Sequence, residues 1–218
     1  PKRTRRKNAG SNWRNWSRVA DRPHDALAAE IAACRVCAGS IEPRPVASFS
    51  PTARLVIVGQ APGTAVHASG VPWDDPSGDR LRQWTGLDAA TMYDAARVAL
   101  VPMGFCYPGK ASSGDKPPRR ECAPLWHPRI IDLLPPDRLT LLVGSYAQAR
   151  YLPETRSLSL TDRVRRFAEY VPQGYFPLPH PSWRVVGWMR RNPWFEAEVV
   201  PALQRAVAER TAHAPGRR

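Results

Sequence analysis

Four cysteines are the residues of this chain best suited to chemistry, because four thiolates can hold one metal centre. They stand at Cys34, Cys37, Cys106 and Cys122, and the sequence has no others. Deprotonated sulfur suits a structural zinc ion as well as an iron–sulfur cluster. A zinc ribbon usually has two close CxxC pairs, whereas here Cys106 and Cys122 lie far apart. The spacing therefore favours a cluster, with zinc as the alternative.

Two simpler explanations of the cysteines stay open. One is two buried thiols beside a chance CxxC motif, and the other is a disulfide pair in a secreted protein. No apolar signal-peptide segment precedes the CxxC motif, which argues against secretion.

The net charge indicates a polyanionic partner. The chain of 218 residues has a formal net charge of +13, most of it from arginine. Such a charge favours nucleic acid as the partner. An arginine-rich composition with a basic, unstructured terminus would give the same net charge. No apolar run is long enough to span a bilayer, so no membrane partner is expected.

The basic residues also suggest how the chain is divided. Residues 1–16 lack apolar periodicity and are rich in Lys and Arg, which predicts a flexible arm able to bind phosphates. The expected organisation is this basic arm, one folded domain over 17–210, and a flexible tail over 211–218.

Short apolar runs that end in glycine or proline predict buried parallel strands. Four such runs lie at 53–59, 98–102, 139–144 and 175–181. Helical spacing of apolar residues predicts helices that begin at 25 and 145 and others near 78–85, 93–98, 127–134 and 193–208. The alternation predicts an α/β fold, a three-layer α/β/α sandwich with a short, mostly parallel four-stranded central sheet. Ligands of such sheets bind at the carboxyl ends of the strands.

Four short segments carry a resemblance to a known family. They are, in order, GQAPG at 59–63, GVPW at 70–73, GSYAQ at 144–148 and HPS at 180–182. This ordered set resembles the uracil-DNA glycosylase superfamily and covers roughly residues 25–210. The cysteine spacing is similar to that of its iron–sulfur bacterial and archaeal branches, families 4 and 5, which implies a structural 4Fe-4S cluster on the four cysteines.

The resemblance implies an enzyme that hydrolyses the N-glycosidic bond of uracil in DNA and leaves an abasic site without cutting the strand. Such an enzyme extrudes the nucleotide and stacks the base on an aromatic ring, a role that falls on Trp73. His180 matches the family histidine that donates to uracil O2 as negative charge develops there. Main-chain groups of Gly59, Gln60 and Ala61 would contact the pyrimidine edge. The alternative for Trp73 is a tryptophan that only packs in the core, and the alternative for His180 is a histidine with a purely structural role.

The catalytic carboxylate departs from the family pattern. The best-studied branch has an aspartate where Ala61 stands, and the four-cysteine branch usually has a glutamate where Gln60 stands. Another branch carries an aspartate just after the stacking aromatic residue. Asp75 is therefore the preferred group to orient water or stabilise the sugar cation, with Asp74 and His67 behind it. Gln60 would help to hold the water or the base.

The residue that reads the base also departs from the family pattern. The family asparagine that reads the uracil edge is replaced here by Pro102. Uracil specificity must then come from main-chain groups, from residues 103–104 or from another side chain.

Residues expected to grip DNA surround the predicted pocket. Ser145 and Ser182 are short donors suited to phosphate oxygens. Trp183 and Arg184 stand where relatives insert a side chain into the space left by the flipped nucleotide. Further basic residues expected on this face are Lys110, Arg119 and Arg120.

An alternative function is a binding protein of the same fold that recognises uracil or abasic DNA with little turnover, since the loop carboxylates are missing. A zinc-containing nucleic-acid adaptor is a remoter alternative. The expected partner is uracil-containing DNA, single- or double-stranded, bound by a monomer in the cytoplasm of a bacterium.

Overall fold

A parallel sheet forms the centre of the protein, whose residues 23–212 are described by a computed structural model. The strands of this part are β1 (Leu55–Val58), β2 (Val98–Leu100), β3 (Lys110–Ala111), β4 (Gly114–Asp115), β5 (Leu139–Val143) and β6 (Tyr175–Leu178). The main sheet has the order β2-β1-β5-β6, and every neighbouring pair is parallel. β3 and β4 form a separate antiparallel hairpin. The α/β class and the parallel four-stranded sheet are confirmed.

Helices precede, connect and follow the strands. The α-helices of the described residues are α1 (Pro23–Ala32), α2 (Thr64–Ser69), α3 (Pro76–Thr85), α4 (Ala89–Met92), α5 (Cys122–Ile131), α6 (Ser145–Tyr151), α7 (Leu160–Arg165), α8 (Phe167–Tyr170), α9 (Val185–Arg191) and α10 (Val200–Thr211). Short 3-10 turns lie at Pro153–Thr155 and Val171–Gln173, and one π-helical turn at Phe195–Val199 leads into α10.

The sheet is packed on both faces, because successive side chains of a strand point to opposite sides. Leu55 and Ile57 of β1 belong to an apolar core shared with α3 and α10. Val56 and Val58 belong to a second core shared with α1 and α5. All four residues of β1 are fully buried, which explains why that strand is a continuous apolar run. Helices on both faces make the predicted three-layer sandwich.

One predicted helix is wrong. The helix expected near 93–98 is replaced by α4, which ends at Met92. The Asp94 carboxylate accepts a hydrogen bond from the Ala96 N–H at 2.9 Å. A short polar side chain that satisfies the backbone locally favours a turn over a helix. The other predicted helices and strands overlap elements of the structure.

His127 of α5 connects the second core to the loop after β2. Its Nε2 lies 2.9 Å from the Pro102 carbonyl oxygen, and its Nδ1 lies 2.8 Å from the Tyr151 hydroxyl. The carbonyl can only accept, so Nε2 carries the proton and Nδ1 accepts from the hydroxyl. Burial lowers the pKa of His127 to about 4, which keeps the ring neutral.

The ends of the described region complete the fold. α10 runs to Thr211, whose carbonyl oxygen accepts a hydrogen bond from Nε of Arg97 at 3.0 Å. The predicted arm (1–16) and most of the predicted tail, residues 213–218, lie outside the described residues. Within residues 23–212, no helix is both long enough and apolar enough to cross a membrane.

Candidate active site

A pocket of about 420 Å³ lies at the carboxyl ends of the parallel strands. The loops that follow β1, β2 and β6 meet there, together with the segment before α3 and the β3–β4 hairpin. It is lined by Val46, Gly59, Gln60, Ala61, Pro62, Gly63, Val66, Pro72, Trp73, Asp75, Ser77, Pro102, Ser113, Gly114, Asp115, His180, Ser182, Trp183 and Arg184. Most of the predicted site residues are therefore brought together.

Trp73 is held in position by two glycines. Its backbone has φ 59°, a left-handed conformation that is rare for a large side chain. A Cβ atom on Gly78 would overlap the Trp73 carbonyl oxygen, and a Cβ on Gly59 would lie 2.6 Å from Cζ2 of the ring. Both positions therefore need glycine. The indole also packs against the core beneath, so its position is determined on several sides.

His180 faces Trp73 from the end of β6. The two ring centroids are 6.0 Å apart, with 32° between the ring planes. Gly144 lies beside the imidazole, and its φ of 88° is a left-handed conformation that favours glycine. Burial lowers the pKa of His180, and the negative charges of Asp75 and Asp115 partly oppose this shift. A neutral imidazole with one N–H can donate a hydrogen bond without carrying a formal charge.

Asp75 lines the pocket and also begins a helix. Its Oδ1 accepts a hydrogen bond from the Gly78 N–H at 2.8 Å, which caps the N-terminus of α3. The second oxygen keeps its capacity to accept hydrogen bonds. The two alternatives to Asp75 are placed elsewhere: Asp74 is exposed and does not line the pocket, and Nε2 of His67 lies 3.4 Å from Glu42.

Backbone hydrogen bonds hold the GQAPG loop against the loop that follows β2. The carbonyl oxygens of Gly59 and Gln60 accept hydrogen bonds from the N–H groups of Met103 and Gly104 at 2.8 and 2.9 Å. The Gln60 amide nitrogen lies 3.3 Å from the Lys116 carbonyl oxygen, next to the hairpin. The side chain of Gln60 thus braces the pocket wall.

Pro102 lines the pocket without a polar group to offer. Proline has no N–H, and its carbonyl oxygen accepts from His127. Any side chain that reads the edge of a bound base must therefore come from another segment.

The predicted DNA-binding residues fall into two groups. Ser182, Trp183 and Arg184 stand at the pocket mouth, where the Trp183 side chain is 75% exposed. The Arg184 guanidinium lies 5.2 Å from the centre of that ring and donates to the Ser113 carbonyl oxygen at 2.8 Å. Arg80 donates to the Ser182 carbonyl oxygen at 3.0 Å, which fixes the loop.

The other predicted DNA-binding residues do not line this pocket. Ser145 begins α6, and Lys110 is exposed on β3. Arg119 and Arg120 line a separate surface cavity of about 420 Å³. Hydrogen bonds to the Cys37 side chain and to Glu121 raise the pKa of Arg119, so its guanidinium lies beside the cysteines.

All four cysteines line one small cavity between the end of α1 and the start of α5. The Phe105 N–H donates to the Cys122 sulfur at 3.3 Å. Burial raises the pKa of the Cys122 thiol to about 12, and the nearby Cys106 sulfur adds to this shift. Four sulfurs around one cavity are a donor set that suits a metal–thiolate centre.

Among residues 23–212, no three or more His, Cys, Asp or Glu side chains are grouped closely enough to hold one metal ion.

The hairpin is the part of the site that the sequence interpretation missed. Ser113, Gly114 and Asp115 all line the pocket. The sequence feature that could have indicated the hairpin is the Ser-Ser-Gly-Asp segment at 112–115, which is typical of a turn. In the structure its Gly114 has φ 129°. Exposed strands of two residues carry no apolar alternation, so the pattern did not indicate a hairpin.

A comparison with family models agrees with this architecture. The model described as the uracil DNA glycosylase superfamily matches residues 46–204. The matched region runs from just before β1 into α10 and contains every residue that lines the pocket, whereas Cys34 and Cys37 precede it. The family acts on DNA, which accords with the basic charge of the chain. The chain therefore belongs to the uracil DNA glycosylase superfamily.

Proposed function

We propose that the protein is a monofunctional uracil-DNA glycosylase that hydrolyses the N-glycosidic bond and leaves an abasic site. The observation that carries this proposal is the pairing of Trp73 with His180 across one pocket, with ring centroids 6.0 Å apart. An aromatic face and a hydrogen-bond donor are the two groups that excision of a flipped base requires.

Trp73 and His180 would act on different parts of the base. The nucleotide leaves the stack and its base lies against the Trp73 ring. As the bond between the sugar C1′ and the base nitrogen breaks, the electron pair moves onto the base. The His180 N–H stabilises the negative charge that develops on O2, a contribution typically worth about 10²–10³ in rate.

Asp75 would act at the sugar carbon. Positive charge develops at C1′, and a water molecule adds to it from the free side. The carboxylate oxygen that is not used to cap α3 can orient this water and take its proton. Ala61 has no polar side chain for that task, and Asp75 is the carboxylate proposed for it.

The basic residues would bind the DNA backbone. Arg184 stands at the pocket mouth beside the exposed Trp183 ring. Its hydrogen bond to Ser113 can be exchanged for one to a phosphate oxygen. Residues 1–16 would add phosphate contacts that weaken as salt rises. In this proposal the protein works as a monomer on DNA in the cytoplasm of a bacterium.

A 4Fe-4S cluster on Cys34, Cys37, Cys106 and Cys122 is part of the proposal, as in families 4 and 5. The shared cavity and the four-sulfur donor set support it, and the distance in sequence between Cys106 and Cys122, which form no close CxxC pair, favours it over zinc. The group would supply a structural cross-link between the end of α1, the loop after β2 and the start of α5. Its binding energy would add to the stability of the fold.

The second candidate is a protein that binds uracil or abasic DNA with little turnover. Ala61 at the usual carboxylate position, and the use of one Asp75 oxygen to cap α3, favour it. A uracil-containing oligonucleotide incubated with the protein and then treated with alkali separates the two. Strand cleavage that His180→Ala slows supports the enzyme. Bound but uncleaved DNA supports the binding protein, and neither binding nor cleavage contradicts both.

A further inference from the structure

The β3–β4 hairpin brings a second carboxylate into the active-site pocket. Asp115 is the last residue of β4 and pairs with Lys110 of β3. The turn at Gly114 has φ 129°, which favours glycine and lets the hairpin reverse tightly. Asp115 therefore stands on the wall that the hairpin adds to the pocket.

The position of Asp115 is set by two neighbours. Its Oδ2 lies 3.5 Å from the point where a Cβ of Gly63 would stand, at the far end of the GQAPG loop. The Tyr107 hydroxyl donates to Oδ1 over 3.5 Å. The Tyr107 ring in turn lies against His67, with centroids 5.7 Å apart. Oδ2 of Asp115 therefore lies close to the Gly63 end of the GQAPG loop.

Three other groups that line the pocket are engaged by the rest of the fold. Pro102 has no N–H, and its carbonyl oxygen accepts from His127. The Gln60 amide points to the Lys116 carbonyl oxygen. Asp75 caps α3. Asp115 is the pocket-lining carboxylate that has no helix to cap.

A carboxylate distinguishes bases by the hydrogen bonds that they can donate to it. An ionised Asp has acceptor sites and no donor. Uracil presents a ring N–H between its two carbonyl groups, and that N–H can donate to a carboxylate. Cytosine has a lone pair on the same ring nitrogen, which a carboxylate repels. A recognition site built around such a bond rejects a base that lacks the donor.

We infer that Asp115 determines base specificity by accepting a hydrogen bond from the imide N–H of the extruded base. The inference rests on the proposed function, since it names the group that recognises the base in the same pocket. The ligand class is a base with a ring N–H next to a carbonyl group. Asp115 takes over the role that Pro102 cannot fill.

The test compares two bases that differ at this nitrogen. Single-stranded oligonucleotides carry one deoxyuridine or one N3-methyldeoxyuridine, and the protein is the parent, Asp115→Ala or Ser112→Ala. Ser112 is an exposed residue of the same hairpin that does not line the pocket, so its variant is the matched control. Both equilibrium binding and single-turnover excision are measured.

The parent and Ser112→Ala should prefer deoxyuridine by roughly 10- to 100-fold, the usual range for a hydrogen bond to a charged group. Asp115→Ala should lose most of this preference. If Asp115→Ala keeps the parental preference to within about twofold, the inference is overturned. A parent that binds both DNAs without releasing uracil contradicts the proposed glycosylase activity instead, and the binding ratio still decides the role of Asp115.

Discussion

Gly59→Ala tests whether the Trp73 ring forms the wall on which the base stacks. A Cβ at this position would lie 2.6 Å from Cζ2 and 3.1 Å from Cη2 of the indole, and real Cβ atoms essentially never come closer than 3.0 Å to another atom. Gly59 does not have a left-handed backbone, so its backbone conformation accepts alanine and the obstacle is the indole ring. The Trp73 backbone cannot retreat, because its carbonyl group packs against Gly78. The ring must therefore turn out of its place.

The expected cost is the loss of base stacking. Stacking of a base on an aromatic ring contributes about 1–3 kcal/mol, or roughly 5- to 150-fold in rate or affinity. Gly59→Ala should slow single-turnover excision of uracil from single-stranded DNA within this range, as Trp73→Ala should. The double variant should be no slower than the slower single variant, because both changes remove one contact.

Gly187→Ala is the matched control for this test. Gly187 lies in α9, and the atom nearest to its new Cβ would be 3.9 Å away, at the end of the Arg191 side chain. This variant should excise uracil at the parental rate. Parental rates in Gly59→Ala, or losses in the two single variants that add fully in the double variant, would refute the role given to the Trp73 ring.

The remaining predictions concern the reaction, the fold, the metal centre and the arm. His180→Ala should cost about 10²–10³ in single-turnover rate, whereas Asp75→Asn should cost less, since asparagine still caps α3; a larger loss in Asp75→Asn would make the carboxylate the dominant group. The folded state holds His127 neutral down to a pKa of about 4, while the unfolded chain protonates it near 6.5. The free energy of unfolding should therefore fall by about 3 kcal/mol as the pH drops from 6.5 to 4, and a pH titration of His127→Gln should show a smaller fall; an equal fall would contradict this account. Purified protein should absorb at about 400 nm, and Cys106→Ser should lose this absorbance and unfold at a lower temperature; colourless, iron-free protein of full activity would exclude the cluster. Deletion of 1–16 should reduce the slope of DNA affinity against salt and leave the single-turnover rate at saturation unchanged; a loss of the chemical step would show that the arm is part of the fold.

The sheet could be predicted because its local pattern and its tertiary environment agree. The apolar run at 55–58 is buried on both faces, and burial of that kind requires apolar residues at every position. The glycines, His180 and Asp75 stand next to such runs or to a helix start. Their convergence in one pocket followed from the rule that ligands bind at the carboxyl ends of parallel strands.

The hairpin and the basic residues could not be placed in the same way. Asp115 reaches the pocket because Gln60 and Arg184 bond to the segment around it, over separations of 56 and 71 residues. Exposed segments held by such distant contacts leave no periodic pattern in the sequence. Arg119 was expected near the DNA for its charge alone, and charge does not say which surface a side chain covers.

The division of the interior into two cores has a consequence for how the protein would come apart. Trp73 packs on the core that contains α3 and α10, whereas Cys34 and Cys122 pack on the core that contains α1 and α5. The sheet separates the two, and the loop after β2 reaches both, with Pro102 in the active-site pocket and Cys106 in the cysteine cavity. Cooperative units of a fold can open one at a time. Damage at the cysteines would therefore first loosen α1 and α5 while Trp73 keeps its position, and it would reach the pocket through the five residues 102–106.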